Sequence, residues 1–268
     1  MTEKPSSFNA KAVLIFAAGI VAGFVAGFAL ANGINRGEDE KLRVELARLR
    51  AGAQAKGGDA GQQQVAGQEG DEEFPTLTDE QLKNAVAQAD ANPRDAVMQR
   101  KVGQALYVYA WQKGNASILP DVARVLKRAH ELDPKDFKTT VMAGDAHFLV
   151  ARSGGDVGAL GEARKFYEAA LAAQPEDAVV RTSLGLTYFH DKPSDPRRAI
   201  REYRRALRSD PRQELTLQSL AQALIETGGV EEAARLIGEI ERLNPSNQEL
   251  PQMRARLEQK RNEAEDKK

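Results

Sequence analysis

Three histidines, a glycine-rich run and 39 carboxylates are the side chains of this protein with the means to do chemistry. His130, His147 and His190 sit in separate segments. No His-Glu-x-x-His pair places two imidazoles and a carboxylate on one helix face, as a zinc hydrolase requires. The run from Gly154 through Gly161 lacks the Gly-Lys-Ser/Thr ending of a phosphate-binding loop and reads as a turn. The carboxylates are interleaved with 38 Lys and Arg, for a net charge of −1, which reads as solvated helix faces and offers nucleic acid no concentrated basic surface. With no cysteine, disulfides, thiolate metal sites and cysteine nucleophiles are removed together. No nucleophile, base and oxyanion donor come together. The expectation is a chain that is not an enzyme, takes no cofactor or metal, and binds no nucleic acid.

The elements that carry these residues are helices. Ala, Leu, Glu and Arg are plentiful and aromatics make up only 6%, a balance that favours helix over sheet. Ala12 to Ala31 is uncharged and bracketed by Lys11 and Arg36. At about 1.5 Å per residue such a helix is roughly 30 Å long, the thickness of a bilayer core. The pattern predicts a single transmembrane helix over 12–31, after a cytoplasmic tail over 1–11. Ala29-Leu30-Ala31 also offers the small-x-small site of a cleaved signal, and under either reading the rest of the chain is exported. Gly19, Gly23 and Gly27 share one helix face, a groove that would let two copies pair as a homodimer. Residues 32–76 follow. Glu38 to Arg50 reads as a short charged helix with Leu42, Leu46 and Leu49 on one side. Ala51 to Asp71 is too poor in large apolar residues to order itself and reads as a flexible linker.

From Leu77 onward the chain is periodic. Thr78 with Gln81 is a capping-box signature for a leading helix. Five turns are built on Asn92-Pro93, Asp133-Pro134, Gln174-Pro175, Asp210-Pro211 and Asn244-Pro245, spaced by 41, 41, 36 and 34 residues. Ten residues after each proline stands a small residue: Gly103, Gly144, Gly185, Ala221 and Ala255. Glycine is costly inside a helix unless another helix must come close, so these positions predict tight packing. Eight residues before the later prolines stand large side chains, Leu126, Tyr167, Tyr203 and Ile237. Five before stand Ala129, Ala170, Ala206 and Ile240.

This pattern resembles the tetratricopeptide repeat, a helix-turn-helix unit of 34 residues. Leu184-Gly185-Leu186-Thr187-Tyr188 and the set Ala199, Tyr203, Ala206 carry the resemblance best. It implies an all-α fold. The transmembrane helix and linker are followed by an α-solenoid of about four helix pairs, over 94–134, 135–175, 176–211 and 212–245, with a capping helix within 246–268. The first two repeats carry about seven extra residues, to be placed in longer helices or inner loops.

In such solenoids the first helix of each pair lines the concave surface. With the small residue as position eight, positions two, five, nine and twelve share a face. Position twelve gives an apolar stripe, Tyr107, Phe148, Phe189 and Ile225. Position nine gives Gln104, Asp145, Leu186 and Gln222, and position five gives Arg100, Val141, Thr182 and Gln218. Exposed, this stripe would anchor a protein or peptide partner. Covered by longer second helices in the first two repeats, it would be core. Arg100 and Lys101 lack a matching Asn or second base in the next repeat, so the carboxylate grip of some family members is not expected.

The functional expectation is a protein of the bacterial inner membrane whose repeats face the periplasm and hold a client. The arrangement resembles tethered repeat proteins of c-type cytochrome maturation and those assisting envelope chaperones. A structural scaffold of a pilus, secretion or division complex, or a cytoplasm-facing adaptor, is the alternative.

Overall fold

The computed structural model describes residues 77–154, 156 and 158–265. The membrane helix over 12–31, its glycines Gly19, Gly23 and Gly27, and the linker lie outside the described residues. Among the described residues, no helix is long and apolar enough to cross a membrane.

Among the described residues ten helices follow one another, with one short 3-10 turn at Ala116–Ile118. A leading helix, α1 (Asp79–Ala91), precedes four pairs: α2 (Ala96–Gln112) with α3 (Leu119–Leu132), α4 (Phe137–Arg152) with α5 (Ala159–Ala173), α6 (Ala178–Phe189) with α7 (Pro196–Ser209), and α8 (Glu214–Thr227) with α9 (Val230–Leu243). A last helix, α10 (Leu250–Glu265), closes the array. Thr78 starts α1 as its sequence predicts: its hydroxyl accepts from the Gln81 amide at 3.2 Å, and Gln81 Oε1 accepts from the Thr78 amide at 2.8 Å.

The proline turns work the same way each time. The residue before the proline caps the finished helix, since proline cannot extend it. The amides of Asn92, Asp133, Gln174, Asp210 and Asn244 donate to the carbonyls of Ala89, Ala129, Ala170, Ala206 and Ile240. Two residues after the proline the next helix is capped. Asp95, Asp136 and Asp177 accept from the amides of Met98, Thr139 and Val180 at 2.9, 3.1 and 2.8 Å. One segment of the form Asn, Asp or Gln, then Pro-x-Asp, thus stops one helix and starts the next. Gln213 holds the corresponding place before α8 without a side-chain cap.

Within each pair the small residue receives the large one. A Cβ on Gly103 would lie 2.7 Å from the Leu126 side chain, on Gly144 2.7 Å from the Tyr167 ring, and on Gly185 2.5 Å from the Tyr203 ring. The two halves of the sequence pattern therefore meet as lock and key. Tyr167, Tyr203, Leu126 and Ile240 are fully enclosed.

First helices also lie side by side, α2 on α4, α4 on α6, α6 on α8 and α8 on α10. α1 packs on α2 and α3, standing where the second helix of a preceding pair would. On the outer surface, second helices are laced by ion pairs: Arg124 and Arg128 to Asp90, Lys127 to Glu162 at 2.9 Å, and Arg204 to Glu232 at 2.7 Å. Exposed pairs of this kind contribute about 0–1 kcal/mol each.

The extra residues of the first two repeats go into both predicted places. α2 and α4 have 17 and 16 residues, against 12 and 14 in α6 and α8. Their inner connections span Lys113–Ile118 and residues 153–158, whereas Gly228-Gly229 alone joins α8 to α9, with Gly228 left-handed at φ 84°. The second helices are nearly equal, at 14, 15, 14 and 14 residues.

Candidate partner-binding face

The predicted face divides into a sealed half and an open half. Tyr107, Phe148, Phe189 and Ile225 are 6, 4, 8 and 5% exposed, so the apolar stripe is core and not a docking surface. Of the two alternatives the sequence left open for these residues, the covered stripe is the one found in this structure. Longer second helices are not the cause, since those helices match in length. Consecutive first helices meet along this face: Tyr107 reaches Asp145, Gln104 reaches Thr139, and Thr182 reaches Thr216 on the next first helix.

The polar residues of the same set show how that contact is made. Gln104 on α2 donates to Thr139 Oγ1 on α4 at 2.9 Å, and Arg100 lies 3.8 Å from Asp136. Further along, Tyr107 on α2 and Tyr167 on α5 both point their hydroxyls at Asp145 on α4, at 3.5 and 2.8 Å. Asp145 is buried, and the lost hydration pushes its carboxyl up to about 7, with the two tyrosine hydrogen bonds partly opposing the rise. Burial and the adjacent carboxylate push both tyrosines well above their ordinary value. Between α6 and α8 the equivalent contact is neutral: Thr182 Oγ1 lies 2.6 Å from Thr216 Oγ1 and donates to Gln213 at 2.9 Å. Val141 and Leu186 are buried with these groups.

What stays open lies toward the starts of the first helices and at the two ends of the array. Arg100, Gln104, Gln218 and Gln222 are half-buried, and Lys101 is exposed. Val97, 51% exposed, stands at position two, which continues as half-buried Lys138, Val179 and Leu215, apolar in three of the four repeats. Position two shares the helical register of five and nine, and this was the signal available for finding the row. Trp111, half-buried near the end of α2, is a further aromatic that spacing did not single out.

The histidines are structural in their surroundings. His130 and His147 both meet the ring of Phe166, at centroid distances of 5.2 and 5.4 Å. His190 sits among Phe148, Phe189 and Arg152, its Nδ1 3.2 Å from the Arg152 guanidinium. Burial, with that positive neighbour, pushes the His190 imidazole down to about 3 and keeps it neutral. Among the described residues no group of three His, Asp or Glu is arranged to hold a metal.

Several solved structures resemble this one. A structure of MamA from Desulfovibrio magneticus, residue 41 to the end, matches with TM-score 0.51 at 19% identity, over 76% of this chain and 97% of that one. A thermophilic TPR protein of Thermus thermophilus gives 0.48 at 17%, over 68% and 89%. YrrB, described as a TPR protein with an unusual peptide-binding site, gives 0.44 at 16%, over 67% and 93%. The first of these is a likeness of fold. No protein-family model matches the chain, and no curated protein sequence does.

Proposed function

We propose that this chain, folded as a tetratricopeptide-repeat solenoid, is a non-catalytic protein-binding module held at a bacterial inner membrane by residues 12–31. Its repeats face the periplasm, where they hold a protein or peptide client. The observation that carries the binding reading is the open half of the first-helix face. There Val97, Val179 and Leu215, with Lys138 between the first two of them, share the position-two register of first helices that also carry Arg100, Lys101, Gln218 and Gln222. Apolar anchor points flanked by side chains that donate to peptide carbonyls suit an extended or unfolded segment. The sealed half supports the same reading, because it fixes the face as one rigid surface.

Membrane attachment rests on the uncharged run from Ala12 to Ala31, too long for an ordinary signal h-region of roughly 7–15 residues. The client class we propose is an unfolded c-type cytochrome chain before haem attachment, which the open half of a tethered first-helix face would receive. Alkaline phosphatase and a cytoplasmic fluorescent protein, each fused after Lys268, test the placement. Active phosphatase with a dark fluorophore supports it, and the reverse pattern removes the periplasmic client. Capture of haem-free but not haem-loaded cytochrome by the full chain supports the client class. Equal capture of both removes it.

A further inference from the structure

The balanced charge of the whole chain conceals one helix that is not balanced. From Pro196 to Arg212, α7 and the turn that follows it, the sequence carries seven arginines, Arg197, Arg198, Arg201, Arg204, Arg205, Arg208 and Arg212, against Glu202 and Asp210. All seven arginines are exposed. Other second helices mix signs: α3 sets Asp121 and Glu131 against Arg124, Lys127 and Arg128, and α9 sets Glu231, Glu232, Glu239 and Glu241 against Arg235 and Arg242.

Three of the seven have structural work. Arg198 lies over the Tyr188 ring at 4.1 Å, Arg204 pairs with Glu232, and Arg205 pairs with the buried Glu202 at 3.1 Å. Arg197, Arg201, Arg208 and Arg212 have no ion-pair partner among the described residues. Arg197, Arg201, Arg204 and Arg208 fall at i, i+4, i+7 and i+11, one line along the helix, about 16 Å from end to end at 1.5 Å per residue. A row of like charges repels itself and is retained where an anionic surface receives it.

We propose that this row docks the repeat domain on a bilayer bearing anionic phospholipid headgroups, an inference that rests on the membrane attachment proposed above. Guanidinium forks match phosphate geometry. The line lies on the outer side of a second helix, away from the first-helix face, so the client face stays free. The two large exposed apolar side chains among the described residues, Val97 and Leu132, lie on other helices. The row therefore has no large exposed apolar side chain of its own helix beside it to anchor a peptide, and a repeating charged plane fits it better. The 45 residues between Ala31 and Leu77 keep the domain within reach of the bilayer that holds the anchor.

Because the chain has no cysteine, a single Ser209→Cys carries a donor fluorophore without background. The full chain is reconstituted in vesicles with a headgroup acceptor dye, either of zwitterionic lipid alone or with about a third phosphatidylglycerol. Energy transfer is expected to rise with phosphatidylglycerol and to fall at high salt. It is also expected to drop to the zwitterionic level in R197Q/R201Q/R208Q/R212Q, which spares the three structural arginines. The same four changed to Lys keep most of the transfer, and a label at Gln112→Cys shows a smaller rise. Equal transfer in both lipids, or an unchanged signal in the Gln variant, overturns the inference. So does a row that loses affinity for duplex DNA or an acidic protein while vesicle docking persists. A chain that fails to float with vesicles after alkaline extraction refutes the anchor. In that case, loss of the unanchored chain's phosphatidylglycerol binding in the Gln variant still supports the row.

Discussion

Repeats two and three fill the same position in opposite ways. At position nine repeat two has Asp145, a buried carboxyl held by the hydroxyls of Tyr107 and Tyr167, while repeat three has Leu186. At position five the roles reverse, with Val141 in repeat two and Thr182, bonded to Thr216, in repeat three. Both arrangements close the contact between neighbouring first helices. They differ in what they respond to: the contact around Asp145 titrates near neutrality, and the threonine contact does not. Repeat geometry thus fixes where two helices meet, and the residue chosen there decides whether the joint senses pH.

The largest effect tests what the two repeats share. Leu at Gly144 or at Gly185 would drive a side chain into the Tyr167 or Tyr203 ring, where even a Cβ comes within 2.7 or 2.5 Å. Each substitution should cost about 3 kcal/mol or more, beyond the usual penalty of overpacking, read as a drop in denaturant midpoint. A loss below about 1 kcal/mol at either site would mean the pair can separate without consequence.

Next comes the difference itself. Asp145 holds its proton up to about 7 when folded, against an ordinary value of 3.8. The native state therefore binds more protons across that window, and stability falls as pH rises from about 4 to 7, then levels off. Asp145→Asn should remove this slope and leave the variant roughly 3–4 kcal/mol more stable, relative to wild type, at pH 8 than at pH 4. Parallel stability curves for the two proteins would locate the titration elsewhere.

A smaller contrast separates the two lock tyrosines. The Tyr167 hydroxyl donates to Asp145, whereas the Tyr203 hydroxyl is buried without a hydrogen-bond partner among the described residues, Ser219 standing near but out of bonding geometry. Tyr167→Phe should cost about 1–2 kcal/mol at neutral pH, and Tyr203→Phe close to nothing or a slight gain. Reversal of that order in chemical denaturation would contradict the assignment. Smallest of all, Arg204→Ala, which opens the exposed pair with Glu232, should change stability by less than about 1 kcal/mol.

These contrasts mark what spacing could reveal. Gly144 and Tyr167, or Gly185 and Tyr203, were legible because a missing Cβ and a large ring are both signals of close approach, each at a constant distance from a proline. The capping residues Asp95, Asp136 and Asp177 follow from the same turns. The exposure of Tyr107, Phe148, Phe189 and Ile225 was not legible. Helical register says which residues share a face, but not how far the next helix is turned over it, and that rotation sums small contributions from every interface. Val97, Val179 and Leu215 obeyed the register, but Lys138 interrupts them in the second repeat and the apolar stripe beside them gave the stronger signal. The arginines of α7 were lost in a net charge that cancels across the chain.

The central claim is that a client lies on the open half of the first-helix face. A photo-crosslinking amino acid placed singly at Gln104 or Gln222, and for the outer surface at Lys165 or Arg235, tests it in intact cells. Adducts with a protein client from Gln104 and Gln222, and none from Lys165 or Arg235, are the predicted result. Adducts of equal or greater yield from the outer positions would contradict the account and move the binding surface to the second helices.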